Sequence, residues 1–169
     1  MILIGIGANL PSDRFGMPIK TCKAAIDVLR SAEIQIIMVS HWYSTPPMPP
    51  SDQPRYVNGV IRVETNLNAE ILLSRLHAIE AELGRIRSAP NAARVLDLDL
   101  LDYDGSVTEE GAAARLPHPR LHERAFVLLP LSDVAPNWRH PVLKRDVSQL
   151  ISALSDGDAV RQIAPEKDD

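Results

Sequence analysis

Apolar and polar positions along the chain fall into segments with two distinct periods. Residues 2–7, Ile-Leu-Ile-Gly-Ile-Gly, are almost continuously apolar, as in a strand covered on both faces. Turn formers fill Asn9 to Asp13. A helix with Pro18 in its first turn follows, and Ile19, Cys22, Ile26 and Leu29 recur along one stripe. Residues 33–44 alternate and predict one long strand. Thr45-Pro-Pro-Met-Pro-Pro50 then excludes both helix and central strand, because proline offers no amide donor. Tyr56 to Thr65 reads as a strand with β-branched content. Asn66 or Asn68 caps a second helix, with Leu72, Leu76, Ile79 and Leu83 on its apolar side and Gly84 at its end. After a loop over 85–95, residues 96–103 alternate with period two, and Asp104-Gly105 marks a tight turn. A loop over 110–122, a short helix from Glu123 to Leu131, and a last helix capped by Asp146 complete the pattern. The order strand, helix, strand, strand, helix, strand predicts an α+β, ferredoxin-like fold, with helices on one face of a mostly antiparallel sheet. One domain is expected over residues 1–160, with a frayed tail over 161–169.

Composition narrows the function classes. With 169 residues, the chain can bury a core without metal or disulfide, and its one cysteine, Cys22, excludes a disulfide framework or a Cys-rich zinc site. A net charge of −4 argues against non-specific binding to nucleic acid or to an anionic membrane. No apolar run approaches the ~20 residues of a membrane span. The apolar start lacks the basic region of a signal peptide, so a cytoplasmic protein is expected. Aromatic residues are few (two Trp, three Tyr and two Phe), so those near a candidate site stand out.

The stretch Gly84-Arg85-Ile-Arg87 through Arg94-Val-Leu-Asp97-Leu-Asp99-Leu100 carries the most chemistry. Side chains two apart on a strand share a face, with Cα atoms about 6.6 Å apart. Asp97 and Asp99 therefore point together, and Leu96, Leu98 and Leu100 point the other way. Two carboxylates side by side repel unless positive charge offsets them. Hard cations such as magnesium take oxygen ligands and leave positions for water and phosphate, and a pair of such ions suits this arrangement. Arg85, Arg87 and Arg94 flank the loop and match phosphate oxygens. Together they suggest a nucleoside triphosphate site, where positioning and charge neutralisation do most of the catalysis. The competing reading is a solvated strand face beside arginines at a helix end. His118 sits in Leu116-Pro-His-Pro119, six residues before Arg124. Arg124 and Phe126 share a face if the segment is extended and not if it is helical. No phosphate-binding Walker loop, Ser-His-Asp triad or HExxH zinc motif is present.

These segments occur together in one known family. Ile6-Gly-Ala-Asn-Leu10, Tyr43-Ser-Thr-Pro-Pro47, Asp52-Gln-Pro-Arg-Tyr-Val-Asn58, Ile79-Glu80 with Gly84-Arg-Ile-Arg87, Arg94-Val-Leu-Asp-Leu-Asp-Leu100, Leu116-Pro-His-Pro119 and Glu123-Arg-Ala-Phe126 follow its order over about residues 2 to 135. In this the chain resembles the 6-hydroxymethyl-7,8-dihydropterin pyrophosphokinases of folate biosynthesis. The resemblance implies transfer of pyrophosphate from ATP to the pterin hydroxymethyl oxygen, with attack at the β-phosphorus and release of AMP. It implies two magnesium ions on Asp97 and Asp99. By the same resemblance Glu80, Arg85, Arg87, Arg94, Leu100, His118 and Arg124 bind ATP, and Arg85, Arg94, Asp97 and Asp99 form the catalytic set. Gly7, Thr45, Pro46, Met48, Tyr56, Asn58 and Phe126 line the pterin pocket, Asn9 steadies a loop and Gln53 orders the proline loop. No nucleic-acid or membrane partner is implied, and a monomer is expected.

One departure is visible. Family members often carry Trp-x-Pro-Arg before the aspartate strand, in a loop that closes over the substrates, and here the run is Asn91-Ala-Ala-Arg94. The alternative it raises is a pterin- or nucleotide-binding protein with weakened catalysis. Without the resemblance, a two-metal phosphodiester hydrolase and a module presenting its proline loop to a partner also remain.

Overall fold

The computed structural model describes residues 1–31, 33–47, 49–85, 93–154 and 160–164. Six strands form one sheet: β1 (Ile2–Ala8), β2 (Gln35–Val39), β3 (Tyr43–Thr45), β4 (Tyr56–Glu64), β5 (Asp97–Tyr103) and β6 (Arg161–Gln162). The helices are α1 (Pro18–Ser31), α2 (Ala69–Glu82), α3 (Ala125–Val134) and α4 (Val147–Ile151), with a 3-10 turn at Leu121–Glu123. Strand order is β5-β1-β4-β3-β6, with β2 also on β4, and every pairing of these strands is antiparallel. The α+β, ferredoxin-like order holds.

β1 is buried along most of its length, as its continuous apolar run requires. Its two faces serve two cores. Ile2, Ile4 and Ile6 join Leu98 and Leu100 of β5, and Leu96 just before it, under α1 and α2, where Cys22, Leu29, Leu72 and Leu76 pack. Leu3 joins Val60, Leu101 and the apolar residues of α3 and α4 on the opposite face. Helices therefore cover both faces, which corrects the one-face expectation. The segment after β5 is long enough to cross the sheet edge and return over the open side.

The predicted single strand over 33–44 divides into β2 and β3. Both pair with β4, but the ladder breaks at Ser40, whose backbone N–H donates to the Val60 carbonyl while its Oγ accepts from the Val60 N–H. Beside the break, Trp42 packs so close to Gly59 that a Cβ there would lie 2.7 Å from the ring. The break is a bulge that admits an indole over a glycine.

α2 is capped as expected, by Asn68 accepting from the Ile71 N–H at 2.9 Å. Asp146 and Gln149 form a reciprocal capping box on α4. The stretch expected as a frayed tail begins with β6, which pairs with β3. Residues 165–169 lie outside the described residues.

Candidate active site

The site starts from two missing side chains. On the face where Leu3 enters the core under α3, the next two positions of β1 are Gly5 and Gly7. Antiparallel register sets Asp99 and Val60 on either side of Gly5, and Asp97 and Asn58 on either side of Gly7. Bare backbone flanked by taller side chains makes a floor. Above it lies a cavity of about 300 Å³ lined by the two glycines, Thr45, Pro46, Tyr56, Asn58, Arg94, Asp97, Asp99, His118, Arg124 and Phe126, among others.

One wall is polar but uncharged. Asn58 and Thr45 are both buried, and Asn58 Nδ2 donates to Thr45 Oγ1 at 2.8 Å. This fixes the Asn58 amide and leaves its carbonyl oxygen near Gly7, where a Cβ would sit 3.0 Å from it. Tyr56 and Phe126 supply the aromatic lining.

The other wall is a chain of charges. Glu80, 1% exposed at the end of α2, accepts the Leu98 N–H at 2.7 Å and also pairs with Arg85. Burial pushes its carboxyl upward, against the pull of the Leu98 N–H and Arg85. Arg85 Nη1 reaches Asp97 Oδ1 at 2.8 Å, and Arg94 Nη1 reaches Asp97 Oδ2 at 2.5 Å. Both oxygens of Asp97 thus carry a guanidinium. Asp99 has no ion pair among the described residues, and burial, then the neighbouring Asp97, pushes it up to about 7. The Arg94 guanidinium is held charged by Asp97 despite burial.

His118 and Arg124 close the third side. The His118 N–H donates to the Leu101 carbonyl at 2.8 Å, tying the loop to β5. His118 Nδ1 accepts from the Arg120 N–H at 3.3 Å, so the neutral ring carries its hydrogen on Nε2, as a donor. Burial and the nearby Arg124 push its pKa down to about 4. Arg124 is extended, while Phe126 lies in the first turn of α3. The segment is therefore half of each alternative, yet the Arg124 guanidinium lies 5.4 Å from the Phe126 ring centroid and both line the cavity.

Asn9 joins the loops around this cavity. It is 1% exposed; its Oδ1 accepts from the Arg94 N–H at 2.8 Å, and its Nδ2 donates to Gln53 Oε1 and the Pro54 carbonyl, both at 3.2 Å. Gln53 Oε1 also accepts from the Tyr56 hydroxyl at 3.3 Å. The expectation that Asn9 and Gln53 order their loops thus has a concrete form.

A second cavity of about 350 Å³ adjoins the first. It shares Asp99 and His118 with it and adds Leu73, His77, Leu100 and Arg115. Sequence reasoning missed His77, Leu73 and Arg115, because only the fold brings α2 against the 113–119 loop. It passed over Gly5 too, although two glycines alternating in an apolar strand are a signal of close approach. Leu100 points into the core with Leu96 and Leu98 and only borders this second cavity. Met48, Arg87 and the Asn91-Ala92 part of the shortened run lie outside the described residues.

Among the described residues no cluster of three or more His, Cys, Asp or Glu side chains is placed to hold a metal. Two adjacent carboxylates with hard oxygen donors suit a divalent ion only if phosphate and water complete its shell.

Comparison with known proteins decides between the open readings. Residues 3–136 match the family model described as 7,8-dihydro-6-hydroxymethylpterin-pyrophosphokinase. The chain belongs to that family. It is 40% identical over 153 residues to the 2-amino-4-hydroxy-6-hydroxymethyldihydropteridine pyrophosphokinase of Pseudomonas aeruginosa, covering 90% of each chain. It is 33% identical over 165 residues to the protein of the same name from Haemophilus influenzae, covering 97% of this chain and 93% of that one. The folic acid synthesis protein fol1 of Pneumocystis carinii is 34% identical over 164 residues, which is 97% of this chain and 21% of that much longer protein. As a member of the pyrophosphokinase family, the chain is a transferase that uses ATP, in folate biosynthesis. Nothing in the comparisons favours the binding-only alternative. No described helix is long and apolar enough to cross a membrane.

Proposed function

We propose that the cavity over Gly5 and Gly7 seats 6-hydroxymethyl-7,8-dihydropterin, and that the adjoining cavity takes the nucleoside end of ATP. One observation carries this reading: Asp97 and Asp99 line one cavity together with Thr45, Asn58, Tyr56 and Phe126 and with His118 and Arg124. A flat bicyclic ring needs bare floor, aromatic walls and an amide at its edge. A triphosphate needs cations, which Arg85, Arg94, Arg124 and a donating His118 supply. Asp99 and His118 stand between the two cavities, where the phosphates would cross.

In this reading the pterin hydroxymethyl oxygen attacks the β-phosphorus and gives up its proton to water, the bond to the α-phosphate bridging oxygen breaks, and AMP leaves with that oxygen. Asp97 and Asp99 would hold two magnesium ions, which polarise the phosphates and offset their charge. Arg85 and Arg94 occupy both Asp97 oxygens before substrate arrives, so they exchange their carboxylate for phosphate oxygens on binding. Arg124 and His118 Nε2–H meet the charge that moves toward the departing AMP. Glu80 keeps Arg85 in place from the end of α2. Arg87 and Met48 keep their expected roles, the first toward ATP and the second toward the pterin. Asn58 and Thr45 orient the ring, so that proximity supplies much of the rate. Every residue assigned here belongs to one chain, and the protein is taken to act as a cytoplasmic monomer.

Calorimetric titration tests this. A non-hydrolysable ATP analogue is expected to bind with magnesium and far more weakly without it, and the pterin to bind tightly afterwards. Pterin binding that survives Asn58→Ala and Phe126→Ala together, or nucleotide binding indifferent to magnesium and to Asp97→Ala, would refute the assignment.

A further inference from the structure

A second buried polar assembly lies behind the site, and none of the steps above uses it. Asp102, three residues beyond Asp99 on β5, is 2% exposed. Its Oδ2 accepts from Trp138 Nε1 at 2.6 Å and its Oδ1 from the Gly105 N–H at 2.8 Å. Trp138 stands edge-on to His140, with ring centroids 5.7 Å apart. His140 stands edge-on to His122, at 5.4 Å and an interplanar angle of 89°. His140 is itself buried, and its Nδ1 accepts the N–H groups of Val142 and Leu143 at 3.2 and 3.1 Å. His122 lies in the 3-10 turn between His118 and Arg124.

A carboxylate buried against an indole is a costly way to fill space, because both groups give up water. Leucine and phenylalanine would fill the same volume without that penalty. The polar version gives direction. A hydrogen bond fixes the indole relative to β5, and edge-to-face rings fix each other's orientation. The line of contacts starts on the strand bearing Asp97 and Asp99 and ends on the turn bearing His118 and Arg124. That turn is otherwise held at its start by the His118 N–H on Leu101 and in its middle by buried Leu121.

We propose that Asp102, Trp138, His140 and His122 are positioning residues: they set the spacing between the β5 aspartates and the 118–124 segment, so that His118 and Arg124 meet the phosphates held over Asp97 and Asp99. The inference rests on the assignment of His118 and Arg124 to ATP given above.

Two variants separate the parts of the line. Trp138→Phe keeps a ring and removes the bond to Asp102. His140→Asn keeps an acceptor for Val142 and Leu143 and removes the ring stack. Each is expected to lower kcat by roughly tenfold to a hundredfold, since a displacement of about an ångström has that effect. Pterin affinity should stay within about twofold, and thermal unfolding should remain well above assay temperature. In a His118→Ala background the same substitutions should cost much less than they do alone, because what they position is partly gone. Unchanged kcat, or the same loss in both backgrounds, overturns the proposal. Where either variant fails to fold, His122→Ala, at a partly exposed position, is read by the same cycle. His118→Ala with normal turnover and ATP affinity would remove the parent assignment instead. An impaired His118→Ala beside an unimpaired His140→Asn would remove only the positioning role.

Discussion

The two faces of β1 are built from the same backbone and do opposite work. Toward α1 and α2 the strand shows Ile2, Ile4 and Ile6, and the neighbouring β5 shows Leu98 and Leu100, with Leu96 just before it. Toward α3 it shows Leu3, Gly5 and Gly7, and β5 shows Asp97 and Asp99. One face buries apolar side chains and supplies stability. The other keeps a packed core around Leu3 and Leu101 but, toward Gly5 and Gly7, gathers carboxylates and guanidiniums over bare glycine and gives up packing for chemistry. A sheet with period two lets neighbouring residues belong to these two regimes, so substitutions one position apart should separate activity from stability cleanly.

The largest effect is expected on the charged face. Asp97→Ala or Asp99→Ala should lower turnover by roughly a thousandfold or more, about 4 kcal/mol of lost transition-state stabilisation. Both variants should still fold: Asp99→Ala removes a carboxylate that burial disfavours, so its unfolding midpoint should rise at neutral pH, and Asp97→Ala, which leaves Arg85 and Arg94 one partner short, should lose less stability than a core leucine truncation does. AMP release in a coupled assay, with denaturant melts alongside, checks both halves. Near-normal AMP production by either variant would break the comparison on its functional side.

One residue along, Leu98→Ala should do the reverse. Leu98 is 1% exposed, within the α1 and α2 core. Removing its side chain should cost about 2–5 kcal/mol, from lost transfer energy plus the cavity left behind. The fraction that remains folded should turn over ATP at close to the parent rate. A denaturation midpoint shifted by much less, or a kcat loss in the folded protein comparable to that of Asp97→Ala, would show that the faces are not independent.

The same alternation explains how much could be read in advance. Period two placed Asp97 and Asp99 together and the leucines opposite, and the stripes on α1 and α2 gave one core. Local chemistry gave the cap at Asp146 and narrowed the other to Asn66 or Asn68, of which the fold uses Asn68. What escaped depended on contacts between distant segments. Nothing local in Ser40 to Trp42 says that an indole will lie on Gly59 and break the strand. Nothing local in Asn9 shows that it will clasp the Arg94 backbone 85 positions away. The second helical layer was hidden because α3 is apolar nearly all round and carries Pro130, so its periodicity points to no single face.

The charged face should also respond to pH when metal is absent. Asp99 in the folded protein is pushed up to about 7, whereas in the unfolded chain it ionises in the ordinary carboxylate range near 4. Between those values the folded state binds more protons, so stability falls as pH rises through the window. His118 contributes with the opposite sign, because its folded pKa is lowered and protonation of the unfolded chain favours unfolding as pH drops. Comparison with Asp99→Asn cancels the histidine. In EDTA, the parent's melting temperature should fall relative to that of Asp99→Asn between about pH 5 and about pH 7.5. Magnesium with an ATP analogue should restore it at the upper end. A difference that stays flat across this range would mean that Asp99 holds no extra proton in the folded state.

The two glycines give the smallest and sharpest contrast. A Cβ on Gly5 would meet the Leu101 side chain at 3.5 Å, which is ordinary contact against flexible methyl groups. A Cβ on Gly7 would meet Asn58 Oδ1 at 3.0 Å, and that amide cannot turn aside freely because its nitrogen donates to Thr45. Gly5→Ala should therefore leave stability within about 1 kcal/mol of the parent, with any loss of affinity coming only from the methyl group on the floor. Gly7→Ala should displace the Asn58 amide and weaken the pterin by roughly tenfold, about 1.4 kcal/mol, with ATP-analogue affinity unchanged. Pterin titrations of the two variants, each with the ATP analogue and magnesium present, measure the difference. Equal weakening by both would mean that the floor as a whole recognises the ring. Weakening by Gly7→Ala alone would assign that recognition to the edge where Asn58 and Thr45 meet.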